Sequence, residues 1–530
     1  MGKLRQPKKL EFLSIEKSAE WLCNIGENLI KQCMVPKNDE EDPRNVNKST
    51  TEKLEVVVVV AHDLFEKFVP FYLYKPLTDE LMKRITELIE KCKATIEFKA
   101  SMSKFLTQVN VVVRLAECLT SVKMRSIDLE ELPKMVRTTF YTKLPQMPNL
   151  QWIKLGSVTG GWKTKEMEGS LANSLKCMKH LTHLNLNYDC TDAILETLVK
   201  HCPKLISLDI ANSKCVTNES VYNFIIELKG LRVIQLYRSS VTMEGYINLL
   251  LHLPELLDIG RYDDLGKCLE YIDEYHPTYS NFKLEYFSSN HATTKQIQIL
   301  CEKFPNINSI SLFHNILFLD LMAVIGINKL KILKLRSCDF FSDQIKDVLQ
   351  VKGCNITELC LEHVDQLDMN ALIYISQFCT ELQTLFIINC NLIQSTSIHY
   401  RYFQLPPFTN LKNLTLIGTC NIQHLEWILV NVHNVSMIHL GSSIPTNDEL
   451  FEKVFLRNEF LHLEELRILH SDDLTVKTLY ALLNNCPNLS RLYEIESWIK
   501  IFPFQIDEAK LYIKRHNIDI DLTSYRKFVT

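Results

Sequence analysis

The stretch Gly156-Ser-Val-Thr-Gly-Gly161-Trp162-Lys163-Thr164 nearly spells G-x-x-x-x-G-K-[ST], the loop whose backbone N–H groups cradle phosphates while its lysine reaches them. Trp162 stands where that lysine belongs, which displaces the amine from the loop, so the glycines are expected to serve a strand-to-helix connection instead. Cys177, His180, His183 and Cys190 offer metal-ligand types at short spacing. Leu181 and Leu184 alternate with them, however, and an alternating strand sends His180 and His183 to different sides. No G-x-S-x-G, H-E-x-x-H or paired-carboxylate arrangement occurs, and the 16 His are scattered. The sequence therefore assigns no catalytic residue, no cofactor and no metal, and the expected class is a non-enzyme.

Bulk properties narrow the partners. Fifty-nine basic against 63 acidic residues give a net charge of −4, without the basic excess that phosphate-backbone binding favours, so nucleic acid is not expected as a partner. Seventeen Cys, an odd number with no C-x-x-C, indicate neither a disulfide framework nor a zinc ribbon and fit reduced thiols in the cytoplasm or nucleus. The N-terminus shows no apolar signal core, and the apolar run Val56 to Ala61 is too short to span a bilayer, so no membrane association is expected.

The elements that would carry any binding residues come from a repeat. The pattern L-x-x-L-x-L, with Ile or Val allowed, starts at Leu150, Leu181, Leu205, Leu231, Ile307, Leu330, Ile356, Leu382, Leu411, Val435 and Leu463, and less cleanly at Leu256, Leu284 and Leu489. Starts lie 23 to 31 residues apart and 26 on average. A proline keeps the same register in Met147-Pro148-Asn149-Leu150, Cys202-Pro203-Lys204-Leu205, Leu253-Pro254-Glu255-Leu256, Phe304-Pro305-Asn306-Ile307 and Cys486-Pro487-Asn488-Leu489. Proline cannot continue a helix and biases its predecessor to extended backbone, so it marks the turn from each helix into the next strand. Strand, loop, helix and turn in about 26 residues is the leucine-rich-repeat unit. The predicted fold class is α/β: a leucine-rich-repeat horseshoe of about 14 repeats over 146–495, a helical N-terminal domain over 1–145 and a C-terminal cap over 496–530. Arg261 and Ser289 stand where the repeats at Leu256 and Leu284 need an aliphatic residue, which predicts a seam near 255–290.

The alternation of C-P-x-L-x-x-L-x-[LI] with a further cysteine past the strand, at Cys215, Cys338 and Cys390 and more loosely at Cys190 and Cys420, resembles the cysteine-containing repeats of F-box/LRR (RNI-like) proteins. That resemblance implies a substrate-recognition subunit of a cullin–RING, SCF-like ubiquitin ligase. The alternative is a leucine-rich-repeat scaffold or regulator with no link to ubiquitin. In either case consensus aliphatics point inward and their neighbours face a concave surface with an arc of about 65 Å, enough for a protein partner. The expected binding face includes Trp152, His183, Asn185, Tyr237, Tyr262, Tyr286, Phe313, Arg336, Glu358, Phe386, His439 and Arg467, aromatic and Arg side chains being the usual anchors.

The first 145 residues lack the repeat. Residues 10 to 33 carry a helical pattern with Trp21, Leu22, Ile25, Leu29 and Ile30, and 36 to 53 is a polar tract read as a flexible loop. Leu54 to Leu144 reads as several helices, although Val56 to Val60 has strand-like composition. Leu77-Thr78-Asp79-Glu80-Leu81-Met82-Lys83-Arg84-Ile85-Thr86-Glu87-Leu88 resembles the opening helix of an F-box with Thr78 in place of its proline. By that resemblance Leu77, Leu81, Met82, Ile85 and Leu88 would dock a Skp-type adaptor. Ser14-Ile15 with Ala19 and Cys23 resembles an elongin-binding box, and Val69-Pro70-Phe71-Tyr72-Leu73 the cullin-selecting box of VHL-box receptors, which implies an elongin-type adaptor and a cullin instead. Plain helices capping the solenoid are the third reading.

Overall fold

The computed structural model describes residues 9–34, 43–94, 110–130, 134–156, 165–314, 319–338, 342–364, 367–395, 397–399, 402 and 404–522. They fall into two compact units that divide at Gly260/Arg261.

The first unit opens with three long helices, α1 (Leu10–Met34), α2 (Pro43–Phe68) and α3 (Phe71–Ala94). Each exists because its apolar residues recur at helical spacing. Ile15, Ala19, Leu22 and Leu29 are buried on α1, Leu54, Val58, Ala61 and Phe65 on α2, and Tyr74, Leu77, Leu81, Ile85, Leu88 and Ile89 on α3. The strand-like run Val56 to Val60 therefore lies within α2: its β-branched residues cost some helix propensity, and the burial of Leu54, Val58, Ala61 and Phe65 outweighs that cost. Pro70 separates α2 from α3. Of the expected flexible tract, 36–42 lies outside the described residues, whereas 43–53 is corrected to helix, the opening turns of α2 with Pro43 in its first position.

A parallel sheet follows, β1 (Ser126–Asp128), β2 (Trp152–Lys154), β3 (His183–Asn185), β4 (Ser207–Asp209) and β5 (Val233–Gln235), in that spatial order. The registers stack Ile127, Ile153, Leu184, Leu208 and Ile234 in one buried row. β1 pairs with β2 ahead of the first recognised repeat, so the sheet starts before the expected 145/146 boundary, and the compact unit runs across that boundary. The repeat at Leu256 contributes one isolated bridge, Val233 to Asp258, rather than a strand. Gly260 has φ of +70°, a left-handed turn that costs glycine least, and a Cβ there would press on the Gln235 side chain.

The second unit carries β6 (Tyr286–Asn290), β7 (Ser309–Phe313), β8 (Ile332–Arg336), β9 (Glu358–Glu362), β10 (Leu367–Asp368), β11 (Thr384–Ile393), β12 (Asn413–Thr419), β13 (Met437–Leu440), β14 (Glu465–Ile468) and β15 (Arg491–Tyr493). All but β10 run in parallel sequence order, and β10 pairs with the far end of β11. Helices return the chain between most strands, for example Thr294–Lys303, Met369–Phe378, Ile422–Asn431 and Val476–Asn485. This unit begins inside the expected seam, and Ser289 shows why the aliphatic rule lapses there. Its buried hydroxyl donates to the Asp263 carbonyl and accepts from the Gly266 N–H, holding the turn that opens helix Leu265–Tyr275.

Candidate binding surfaces

The two box-like segments of the N-terminal helices come together. Ser14, Ile15, Lys17, Ser18 and Trp21 from α1, Leu64, Phe65 and Phe68 from α2, and Val69, Pro70, Leu73 and Leu77 around the start of α3 line a single groove of about 590 Å3. Trp21 is 43% exposed, Leu64 41% and Phe68 67%. Val56 and Val60 are exposed as well, so 56, 60, 64 and 68 form an apolar stripe at every fourth residue along α2. An exposed, contiguous apolar surface of this kind is the physical mark of a protein-docking site.

The F-box-like assignment is corrected. Leu77, Leu81, Met82, Ile85 and Leu88 are all buried within the helical packing, with exposures of 0 to 6%, and α3 packs extensively on α1. Those side chains pack in the interior of the helical layer, and of them only Leu77 also reaches the lining of the groove. The sequence named Trp21 as part of a helical pattern but did not separate it from the core residues beside it. The signal that finds the apolar stripe is the spacing of Val56, Val60, Leu64 and Phe68, which is legible once Leu54, Val58, Ala61 and Phe65 are assigned to the core.

On the ladder face of the first unit stand Trp152 on β2, His183 and Asn185 on β3, Asp209 on β4 and Gln235 on β5, each half-buried beside a buried aliphatic. Asn185 donates to the Asp209 carboxylate at 2.8 Å, and Asp209 also accepts the Ala211 N–H at 3.1 Å. Burial pushes the Asp209 carboxyl above its ordinary range against the Ala211 N–H, and the Asp258 carboxyl likewise against the Gly260 N–H and the Gln235 amide. Tyr237 lies just past β5 with the Arg238 guanidinium over its ring. Tyr262 lies off the strands, and its carbonyl accepts the Leu265 N–H at the start of helix Leu265–Tyr275, which corrects its placement on the ladder.

In the second unit Tyr286 is exposed on β6, and Arg336, Glu358, Phe386, His439 and Arg467 occupy half-buried ladder positions on β8, β9, β11, β13 and β14. Phe313 is corrected from exposed anchor to covered residue. It is 7% exposed because Arg261 and Arg336 cover its ring at 4.2 and 5.1 Å from the centroid.

The candidate chemistry does not assemble. Of the phosphate-loop-like stretch, 157–164 lies outside the described residues. At Gly156 a Cβ would sit 2.3 Å from the Asn185 side-chain oxygen, so packing against the next repeat explains that glycine. His180 pairs with Lys204, His183 contacts Thr182 through Nδ1, Cys177 is exposed and Cys190 buried. Among the described residues no group of three His, Cys, Asp or Glu is placed to hold a metal, and no helix is long and apolar enough to cross a membrane.

Compared with known proteins, the sequence matches no family profile and no curated protein. Solved structures with a similar chain path include the Rad7 and Elc1 complex of yeast, 13% identical over 94% of this chain and 96% of that one with a TM-score of 0.40. A Leptospira interrogans LRR protein is 14% identical over 78% and 91% at a TM-score of 0.31. A Listeria monocytogenes internalin is 14% identical over 61% and 81% at a TM-score of 0.29. Likenesses this distant say nothing of what the chain binds; the repeat architecture rests on the strand registers themselves.

Proposed function

We propose that the chain is a non-catalytic, protein-binding leucine-rich-repeat protein that serves as a substrate-recognition subunit of a cullin–RING ubiquitin ligase. In this reading α1 to α3 hold an elongin-type adaptor and the repeats present a substrate. The observation that carries the proposal is the groove lined by Ile15, Trp21, Leu64, Phe68, Pro70 and Leu73, because residues of the segment that resembles an elongin-binding box and of the one that resembles a cullin-selecting box both line it. A helix laid against it would cover the stripe on α2 in the helix-in-groove manner, in which spaced apolar anchors supply the affinity. Burial of the F-box-like residues argues against a Skp-type adaptor. A plain scaffold whose helices only cap the repeats gives no reason for an exposed apolar groove.

Co-expression with an elongin-type and, separately, a Skp-type adaptor tests the proposal. The elongin-type adaptor is expected to co-purify with the full chain and to be lost with Leu64→Glu or Phe68→Glu, both exposed positions at which a charge leaves the fold intact. Retention of the Skp-type adaptor alone, or of neither, overturns the proposal.

A further inference from the structure

In the first unit, helix Lys134–Lys143 carries a cation on the face that its apolar residues turn inward. Phe140 and Tyr141 follow Arg137 at helical spacing, Leu144 stands one turn further on, and all four side chains are buried. The helix packs on helix Lys165–Leu175 and on the short turn Ala116–Leu119. Arg137 is 5% exposed, and its Nε and Nη1 are shut off from solvent with no hydrogen-bond partner.

Another enclosed cation shows how this fold ordinarily treats such a group. Lys303, 8% exposed, reaches the carbonyls of Pro277 and Tyr279 at 3.2 and 3.3 Å and the Asp273 carboxylate at 3.3 Å. Near Arg137 the acid at hand is already engaged: Glu117, in the turn on which the helix packs, is held by Arg114 and Lys143, each at 3.3 Å. Among the described residues no carboxylate pairs with Arg137. A guanidinium stays charged throughout the pH range of folded proteins, and a buried charge without a counter-charge is strongly destabilising. The position therefore calls for an anion. With so little of Arg137 exposed the anion must be small, and the donor fork of a guanidinium matches the oxygens of a phosphate-type ion.

We infer that Arg137 is the centre of a binding site for a small, free oxyanion of the phosphate class, seated on the inward face of helix Lys134–Lys143. The site shares no residue with the adaptor groove, so it stands or falls apart from the ligase reading. Thermal unfolding of the full chain at constant ionic strength, with sodium phosphate replacing sodium chloride, tests it. The wild-type midpoint is expected to rise by about 3 °C or more once phosphate exceeds its Kd tenfold, and to saturate as a single site fills. Arg137→Met removes the charge and leaves an apolar side chain. It is expected to melt no lower than the wild type without phosphate, since it carries no unpaired ion, and to lose the phosphate increment. Arg137→Lys keeps a charge without the fork, and is expected to weaken phosphate about tenfold or more in titration calorimetry. That variant reports on the site even where Arg137→Met fails to fold.

O-phosphoserine, titrated in parallel, separates a free ion from a phosphate carried on a larger molecule, and is expected to bind more weakly than inorganic phosphate. Tighter binding of O-phosphoserine, no saturable phosphate effect on the wild type, or an equal increment in the wild type and the variants, as a general salt effect would give, would each overturn the inference.

Discussion

The thiol of Cys390 donates to the Leu361 carbonyl at 3.4 Å and accepts from the Val364 N–H at 3.4 Å, tying its own repeat to the strand before it. Cys338 reaches the Leu312 carbonyl in the same register, and the hydroxyls of Ser213 and Ser471 take that place in other repeats. The recurring cysteines thus act as small hydrogen-bonding fillers. Cys390→Ala leaves the Val364 amide without its partner and is expected to cost about 1–3 kcal/mol, while Cys390→Ser retains most of the stability, as urea unfolding would register. His424 gives the residue-scale pH dependence. It is 3% exposed, and burial holds its imidazole below the ordinary range against the opposing pull of Asp368. Below about pH 6.5 the unfolded chain takes up a proton that the folded chain refuses, so stability falls as pH drops. His424→Gln is expected to flatten the decline of the urea midpoint between pH 7 and pH 5; an unchanged slope would remove His424 from the account.

Among the elements, helix termini are joined across repeats by carboxylates whose purpose no local pattern discloses. Asp448, at the start of helix Asp448–Phe455, accepts from the Thr475 N–H, the Thr475 hydroxyl and the Thr478 hydroxyl at 2.6 to 2.9 Å. Burial pushes its carboxyl up, but these donors outweigh burial and hold it below the usual range. That contribution is present at neutral pH and lost as pH falls through the lowered value. Asp448→Ala is expected to destabilise the fold by about 1.5–3 kcal/mol near neutrality, and Asp448→Asn by less, in thermal unfolding. The helical pattern of α1 was legible because Ile15, Ala19 and Leu22 recur at one face. In α2 the β-branched run Val56 to Val60 disguised the period, since every position in it is apolar and only the tertiary partner decides which residues face inward. The same ambiguity hid the exposed apolar stripe, and it made buried Leu81 and Ile85 resemble an exposed adaptor helix.

For the whole molecule, the repeat was readable because nearly every unit buries the same three aliphatics against its neighbours, so the period survives where identity does not. The division at Gly260/Arg261 was foreshadowed by Arg261 and Ser289, residues that break the aliphatic rule because they serve a cation–ring contact and a turn. The inward start of the sheet at β1 was not readable, since Ser126-Ile127-Asp128 offers one aliphatic and no repeat signature. Two surfaces in one chain, an apolar groove among the N-terminal helices and a ladder face on the repeats, fit a protein that joins two others. The most direct measurement is the affinity of purified full chain for an elongin-type adaptor, wild type against Leu64→Glu. The account predicts a stable complex for the wild type and a loss of about a hundredfold or more for the variant, the scale of a charge forced into an apolar interface. Equal affinities, or no wild-type complex, would contradict it.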